Sequence, residues 1–251
     1  MDYEKPQKGN PHQLTVNQHC FPASCIKRFT GNSGRVQLMQ APKLEEIMAK
    51  PDAKIFCAKR AWDQSAEHIF MKEIEDKYKT LAEEVISNTA TKLNSNQQAI
   101  VTDMFGLWNI RAHWKEQPAQ DQRIEGAIDV AIKYSKDDQE KLEKHGITAI
   151  RPNLTIPGRN LTGISIQMNL FAVRDQMSDA HWGILKSVKG EFIVPDQSPN
   201  SRILPLTPNL CFFSQSENDV IDETELAKIN ACSIAGAKEY YFARDLSKCP
   251  K

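Results

Sequence analysis

The 251-residue sequence lacks the segments that would place it in a membrane or outside the cell. No stretch approaches the roughly 18 consecutive apolar residues of a membrane-spanning helix. The N-terminal segment is polar and has no apolar core of the kind found in a secretory signal. These absences predict a cytoplasmic protein that does not associate with a membrane.

Metal-ligand spacing among the cysteines is missing as well. A structural zinc site typically shows ligands about two to four residues apart, and the sequence has no CxxC pair or Cys/His cluster. Structural zinc is therefore not expected, while the sequence leaves any other metal or cofactor unspecified. Scattered thiols in a cytoplasmic protein are expected to be reduced and buried. The six are Cys20, Cys25, Cys57, Cys211, Cys232 and Cys249.

An excess of charge of one sign is absent too, because Lys+Arg and Asp+Glu each total 32. The chain has no global basic field that would attract nucleic acid or an anionic membrane, although a local basic patch is compatible with these totals. The motifs of P-loop NTPases, Rossmann enzymes, zincins, α/β-hydrolases and EF-hands are not found. An active site would have to be assembled from residues scattered along the chain.

The clearest element that is present is a predicted amphipathic helix over residues 62–86. Glu67 lies within its apolar face, where an ionised carboxylate needs a partner because unpaired burial costs roughly several kcal/mol. The apolar positions of this face recur with the period of a helix. They are Phe70, Ile74, Tyr78, Leu81 and Val85.

A second helix is predicted from a capping box at residues 95–98, in which Ser95 and Gln98 satisfy each other's backbone donors. Its apolar series continues to Arg111, so two antiparallel helices joined by a short linker would bring Arg111 and Glu67 together. We therefore predict a central antiparallel helix hairpin with a Glu67–Arg111 ion pair. The alternative is that Glu67 lies at the rim and that Arg111 keeps its charged end in water.

In the rest of the chain, we predict mostly helices in the first part and most of the strands in the later part. Residues 1–16 form a polar arm, and residues 17–251 form one globular domain. A short helix is expected near Pro22, a strand at residues 35–40 and a turn or two of helix between Pro42 and Pro51.

Beyond the hairpin, residues 117–145 are predicted to be helical, with an N-cap at Ser135 and an end at Gly146. Residues 161–174 form another helix with an inward stripe. The segment at residues 117–145 also has an apolar stripe. The two stripes are Ile124, Ala127, Ile128, Ala131 and Ile132, and Ile164, Met168 and Phe171.

Apart from residues 35–40, strands are predicted after His181, in residues 181–196 and 203–215. A last helix then continues into the aromatic run at residues 240–242. The expected fold class is mainly α with a small late antiparallel β-sheet, an α+β arrangement around the helix hairpin.

Several segments share motifs with one bacterial family. They are His19-Cys-Phe-Pro22 with Ile26, Arg28 and Phe29; the helix with Trp62, Glu67, Phe70, Ile74 and Glu75; residues 107–111; residues 190–200; residues 204–210; and residues 226–243. In these segments the chain resembles the bacterial domain of unknown function 4238. One departure is the sequence PDQSP at residues 195–199 in place of a tighter Ser-Asp-Asn-Pro. The resemblance implies a bacterial or phage-related protein and implies no particular activity.

Four polar residues are the candidate site. His19 precedes a helix and Asp196 follows a strand end, two places where side chains can face a common cleft. His19 could act as a general base, Arg111 as a clamp for a phosphate or oxyanion, and Glu67 or Asp196 as the group that orients the histidine or holds a divalent metal. This set would suit a hydrolase or nuclease-like enzyme.

Two other functions stay open beside the enzyme. In the first, the protein is a non-catalytic interaction or regulatory protein, such as a defence or toxin-type effector that binds an unknown protein partner, and the four residues form a structural polar network. In the second, it is a nucleic-acid-binding module that uses Lys27, Arg28 and Arg35 with nearby aromatic side chains. The sequence favours the interaction protein slightly over the enzyme and both over the nucleic-acid binder.

Overall fold

The computed structural model describes residues 3–126, 134–151, 153–198 and 202–251. The chain is 41% helical and 19% strand, with six helices and four sheets in the part described. The expectation of a mainly α protein with one small late sheet is therefore wrong, because strands from both ends of the chain build a second large sheet. The fold is α+β.

Six α-helices and twelve strands follow one another in the described residues. The helices are α1 (Ala23–Lys27), α2 (Met71–Ile86), α3 (Ser95–Glu116), α4 (Lys136–Lys144), α5 (Gly158–Gln176) and α6 (Glu223–Gly236). The strands are β1 (Asn17–His19), β2 (Val36–Gln40), β3 (Glu45–Ala49), β4 (Cys57–Lys59), β5 (Gln122–Arg123), β6 (Thr155–Ile156), β7 (Trp182–Ser187), β8 (Val194–Pro195), β9 (Ile203–Thr207), β10 (Leu210–Ser214), β11 (Asp219–Ile221) and β12 (Tyr240–Ala243).

The strands form two four-stranded sheets and two isolated pairs within the described chain. One sheet has the order β11-β7-β10-β9, and its β11–β7 pair is parallel while its other pairs are antiparallel. The other sheet is antiparallel with the order β3-β2-β12-β8. The pairs are β1–β4 and β5–β6. Late strands thus form the first sheet, whereas early and late strands meet in the second.

Two segments read as helix are strands of the second sheet. Residues 45–49 pair with β2 in an antiparallel hairpin instead of forming a helical turn between the two prolines. The aromatic run continues no helix, because α6 ends at Gly236 and all four residues of β12 are buried between β2 and β8. A short continuous apolar run is typical of a strand buried on both faces, which periodicity alone does not separate from a buried helix.

The predicted helix hairpin is present. The start of α3 contacts the end of α2 through Gln97 and Glu84, and Arg111 near the end of α3 contacts Glu75 near the start of α2, so the two helices are antiparallel. The capping box lies one residue earlier than expected, since Asn94 is the N-cap and exchanges hydrogen bonds with Gln97. A single π-helical turn at Ala66–Phe70 precedes α2.

The charged helix α4 follows the prediction closely. Ser135 and Asp138 form its capping box, and Gly146 after its end has a φ of 76°, a left-handed conformation that suits glycine. The helix expected from residue 117 onward is wrong at its beginning, because α3 ends at Glu116 and residues 122–123 form β5. Of its proposed stripe, Ala127, Ile128, Ala131 and Ile132 lie outside the described residues.

Helix α5 is oriented opposite to the prediction. Its inward face consists of Gly163, Ile166 and Leu170, while the three residues expected to face inward are exposed. Small residues explain this choice, because they let helices approach closely. A Cβ added to Gly163 would lie 3.1 Å from the Cβ of Ala66, and one added to Gly106 of α3 would lie 2.9 Å from Val173 Cγ1.

The largest apolar cluster joins the helix hairpin to both large sheets. It includes Tyr78 and Trp108 from the hairpin, Phe212 from β10 and Phe242 from β12. Five of the six cysteines are buried and Cys232 is exposed, and none forms a disulfide. Among the described helices, none combines the length and the apolar character required to cross a membrane.

The N-terminal residues 3–16 lie against the rest of the protein. Leu14 is buried, the backbone N–H of Gln7 donates to Glu140 of α4, and the His12 ring lies 2.7 Å from an Asp137 oxygen. This segment, which we call the arm, contains no helix or strand between residues 3 and 16. It reaches the cleft described below at Glu4.

Candidate functional site

His19 is the last residue of β1 and lies opposite Cys57 of β4. Its Nε2 is 3.0 Å from the carbonyl oxygen of Pro51. The position just before α1 agrees with the sequence prediction, but the ring is engaged with the backbone of a neighbouring turn. The only hydrogen-bond partner described for this ring is a backbone carbonyl group, which indicates a structural role.

Asp196 follows β8, and its side chain binds the backbone between α6 and β12. Its two carboxylate oxygens accept hydrogen bonds from the backbone N–H groups of Lys238 at 3.0 Å and Glu239 at 2.8 Å. Its own carbonyl oxygen accepts from Nε1 of Trp108 at 3.0 Å. Burial raises the pKa of Asp196, and the two backbone donors oppose that rise without cancelling it.

Arg111 forms a buried ion pair, and its closest partner is not the predicted one. The side chain of Arg111 is 2% exposed and its Nη1 donates to Glu75, whereas its Nη2 lies 4.0 Å from the Glu67 carboxylate. Its Nε is 3.1 Å from Met71 Sδ and its guanidinium carbon is 5.6 Å from the Trp62 ring centre. Burial works against the charge of Arg111, but the two carboxylates outweigh it and raise the pKa.

Glu67 completes this group, which we call the hairpin cluster: Arg111, Glu75 and Glu67. The Glu67 carboxylate accepts from Nε1 of Trp62 at 2.5 Å, so it has a second partner besides Arg111. Glu75 could have been found in the sequence, because it lies one helical turn after Met71 and thus on the same side of α2. The spacing from Phe70 and Ile74 favours Glu67, and the sequence prediction did not include Glu75 as a partner.

The four predicted residues are therefore not gathered in one place by their described contacts. Glu67 and Arg111 meet, while no described hydrogen bond or ion pair joins His19 or Asp196 to them. None of the four lines either cavity described below. Within residues 3–126, 134–151, 153–198 and 202–251, no three His, Cys, Asp or Glu side chains are grouped to hold a metal ion.

A cleft of about 920 Å³ lies elsewhere, between the arm, the end of β4, the end of α3 and the start of α5. This volume is within the range of roughly 300 to 1,000 Å³ that small-molecule sites occupy. Its lining is rich in cationic side chains. They are Lys59, Arg60, Lys115, Arg151 and Arg159.

Arg60 is the most constrained residue of this cleft. It follows β4 with a φ of 44°, a left-handed conformation that is unfavourable for a residue with a side chain, and strain of this kind is concentrated at functional sites. The residue is 4% exposed. Its Nη2 donates to Glu143 at 2.6 Å and its Nη1 to the carbonyl oxygen of Glu4 at 2.9 Å. Its buried Nε has no hydrogen-bond partner in the described part of the chain.

The Glu4 carboxylate lies between two further arginines. It accepts from Arg151 at 2.5 Å and from Arg159. Burial alone would raise the pKa of Glu4, but the charges of Arg159 and Arg151, with Arg60 nearby, hold it below its ordinary value. The arm is thus attached to the cleft by an ionised carboxylate.

Two other carboxylates hold the arginines from behind. Glu143 of α4 accepts from Arg60 and from Arg159, the latter at 2.8 Å. Asp121 pairs with Arg151 and also accepts from the backbone N–H of Gly158 at 2.8 Å. We call the three arginines with these three carboxylates, Arg60, Arg151, Arg159, Glu4, Asp121 and Glu143, the cleft cluster.

The sequence prediction missed every member of the cleft cluster. A signal was present, because Arg151 lies in the loop before α5 and Arg159 lies at the start of that helix, and binding residues are often carried by loops. Their partners come from the arm, from the segment after α3 and from α4, and no periodicity in the sequence links such distant segments.

The aromatic side chains considered for base stacking belong to the core. Trp62, Tyr78 and Trp108 are almost completely buried. Of the basic residues considered with them, Arg35 donates to the carbonyl oxygen of Met48 at 3.3 Å. These positions leave little aromatic surface for nucleic-acid bases in the hairpin.

The outer side of α5 is the most apolar exposed surface on a described helix. Ile164, Met168 and Phe171 are 57%, 66% and 61% exposed, and Ala172 beside them is exposed as well. We call these four residues the α5 face.

A groove of about 320 Å³ runs between α3 and α5 next to this face. Phe105 and Ile110 of α3 and Val173 of α5 line it, together with Asn169. Asn169 is three residues from Ala172 and therefore its neighbour on the helix surface. The face and the groove form one continuous region.

Comparisons with known proteins give no assignment. No family model matches the chain, and neither a curated protein nor a solved structure matches it. The resemblance to the domain of unknown function 4238 stays a prediction.

Proposed function

We propose that the protein is a non-catalytic interaction protein whose partner protein docks on the α5 face. The observation that carries the proposal is the exposure of Ile164, Met168 and Phe171 on one side of a regular helix. Large side chains that stay exposed in a contiguous patch are typical of protein interaction sites.

The scarcity of charge along α5 supports the proposal, although the Arg174 guanidinium carbon lies 5.4 Å from the Phe171 ring centre at the C-terminal end of the face. Residues 160–173 contain no Asp, Glu, Lys or Arg. The solvent side of an amphipathic helix is normally polar or charged, because it must interact with water. A helix that is apolar on its outer side as well as its inner side is expected to be covered by another element.

The α5 face is small, and its size suits a single helix of the partner better than a broad protein–protein interface. Fourteen helical residues span about 21 Å at 1.5 Å per residue, and one helix face is smaller than the roughly 800 Å² per partner of a standard interface. An amphipathic helix can lie along α5 and insert one apolar side chain into the adjoining groove. We therefore commit to an amphipathic helix of another protein as the occupant.

The placement of the four candidate catalytic residues supports a non-catalytic role. Arg111 is paired in the hairpin cluster, the Asp196 carboxylate holds two backbone N–H groups, and His19 contacts a backbone carbonyl. General acid and base groups need partners within hydrogen-bond reach of one another. A role as a bacterial defence or toxin-type effector is a finer hypothesis that rests on the family resemblance alone.

The test is site-specific photo-crosslinking in the protein's native host cells. A photoreactive amino acid at Met168 is expected to give one adduct with a different protein, and the same probe at Lys79, an exposed residue of α2, serves as the matched control. Adding Phe171→Asp to the Met168 probe should abolish the adduct while changing the free energy of unfolding by less than about 0.5 kcal/mol, because Phe171 is exposed.

Four outcomes would contradict the proposal. The first is no adduct at Met168, and the second is the same adduct at Lys79. The third is an adduct of the chain with itself, which would replace the partner helix by a second copy. An adduct that survives Phe171→Asp in a folded protein would also count against docking on the α5 face.

A further inference from the structure

We propose that the cleft bordered by Arg60, Arg151 and Arg159 is a binding site for a small organic molecule with a terminal phosphate group, and that Glu4 of the arm occupies the phosphate position when the site is empty. The proposal does not depend on the α5 face. It starts from the way in which one residue of the arm engages three arginines.

Glu4 uses one donor nitrogen from each arginine. Its carboxylate accepts from Nη2 of Arg151 and Nη1 of Arg159, and its backbone carbonyl oxygen accepts from Nη1 of Arg60. Withdrawal of this single residue would free three guanidinium donors at once. The buried Nε of Arg60 also has no hydrogen-bond partner among the described residues.

The geometry suits a phosphate better than a carboxylate. One carboxylate oxygen of Glu4 serves both Arg151 and Arg159, and the third arginine is reached only through the main chain. A phosphate monoester has three terminal oxygens, so a single group can offer an acceptor to each of the three arginines. Guanidinium groups are well suited to this recognition, because their donors form a planar fork that matches phosphate oxygens.

Charge requires an anion at the position of the Glu4 carboxylate. Asp121 and Glu143 keep the three arginines in position after Glu4 has left, because they bind other nitrogens of the same side chains. Three guanidinium groups then face two carboxylates, which leaves one positive charge without a partner at the cleft. An anion from solution is expected to take the place of Glu4, because it restores the charge-assisted hydrogen bonds that the carboxylate made.

The cleft is larger than a phosphate ion needs. At about 920 Å³ it leaves room for an organic part beside the cluster, along the wall that includes Lys115 and Ala119. This space is why we assign an organic phosphate and not the free ion as the ligand. The tether makes Glu4 a competitor present at high effective concentration, so it weakens the binding of any ligand to the wild-type protein.

Calorimetric titration at pH 7 and constant ionic strength tests the proposal with four probes and two matched variants. The probes are inorganic phosphate, AMP, adenosine and chloride. Glu4→Gln removes the competing charge and keeps the arm, so it is expected to bind AMP about tenfold more tightly than the wild type. Glu116→Gln is the control, because Glu116 lines the same cleft but pairs with Lys238 and with no arginine.

Loss of binding is tested in the Glu4→Gln background. Arg151→Ala should weaken AMP binding about tenfold, which corresponds to the loss of one charge-assisted contact. Arg151→Lys, which keeps the charge but not the fork, should also bind more weakly. Circular dichroism and the urea midpoint show whether each protein is folded, and a gain of affinity in Glu4→Gln cannot arise from misfolding.

The proposal is overturned if Glu4→Gln and wild type bind AMP equally, if Glu116→Gln gains as much affinity as Glu4→Gln, or if adenosine binds as well as AMP. It is also overturned if Glu4→Gln binds neither phosphate nor AMP. Tighter binding of inorganic phosphate than of AMP would reject the organic ligand. Tighter binding of AMP would support it.

Discussion

The protein contains two arginine clusters made of similar groups, and they differ in what surrounds them. In the hairpin cluster, Arg111 is enclosed by two adjacent helices, with Trp62 and Met71 packed against it. In the cleft cluster, three arginines line an open cavity and one of their carboxylates, Glu4, is 36% exposed and belongs to an arm without regular structure.

This difference separates a structural role from a binding role. Glu75 is 30% exposed, close to the value for Glu4, but Arg111 is 2% exposed and lines neither of the two described cavities. A ligand can therefore reach Arg111 only if the helices separate. An arginine at a cleft can exchange an exposed carboxylate for a ligand while the fold stays intact. The same ion-pair chemistry therefore stabilises packing in one region and, as we propose, recognises a phosphate in the other.

The largest expected effect is the removal of the buried arginine. Arg111→Ala should lower the free energy of unfolding by about 3 to 5 kcal/mol, because it leaves Glu75 and Glu67 without their cation and empties a packed space. Urea denaturation measures the loss. Arg174→Ala is the control, since Arg174 makes two close bonds to Asp103 but is partly exposed and should cost less than about 1 kcal/mol. Equal losses in both variants would contradict the contrast between buried and exposed arginines.

A smaller effect distinguishes the two carboxylates of the hairpin cluster. Glu75→Ala should lower the free energy of unfolding by about 2 kcal/mol and Glu67→Ala by about 1 kcal/mol, because Glu75 makes the close contact with Arg111. Either carboxylate left behind still pairs with the arginine. The same urea titration decides the order, and a larger loss for Glu67→Ala would make Glu67, the partner predicted from the sequence, the stronger partner of Arg111.

The smallest effect is expected at Glu4. Glu4→Gln should change stability at pH 7 by less than about 1 kcal/mol, because the carboxylate is partly in water. The pKa of Glu4 is below its ordinary value of 4.5 in the folded protein. Its contribution is therefore present above that value and is lost as the pH falls through the lowered pKa.

Unfolding curves of both proteins from pH 7 to pH 3 test this prediction. The wild type should lose its small advantage over Glu4→Gln only below about pH 4.5. A difference that grows in acid would mean that the folded protein does not hold Glu4 ionised. Such a result would argue against the clamp between Arg151 and Arg159.

The helices were predictable because the residues that determine them, the apolar positions and the caps, are close together in the sequence. The periodicity around Ile74 and Tyr78 fixes the inward side of α2, and the caps at Asn94 and Ser135 lie within one residue of their predicted places. The helical periodicity alone predicted that Arg111 would be buried and paired with a carboxylate. These features depend on residues three or four positions apart.

The second sheet and the cleft cluster were not predictable in the same way. Strand β12 consists of residues that suit a buried helix as well as a strand, and its partner β2 is far away in the sequence. The inward side of α5 was misassigned because both of its sides are apolar and the choice is made by Gly163, which allows a close approach to Ala66. Such decisions depend on contacts between distant segments.

The central position of β12 has a consequence for how the chain is made. Gln40 pairs with Tyr240, so the β2–β3 hairpin is synthesised with one edge open and stays so until β12 has emerged. An open strand edge is a template for pairing with other chains. Contacts this far apart in sequence also form slowly. During synthesis, the β2–β3 hairpin therefore stays open to pairing with other chains until β12 covers its edge.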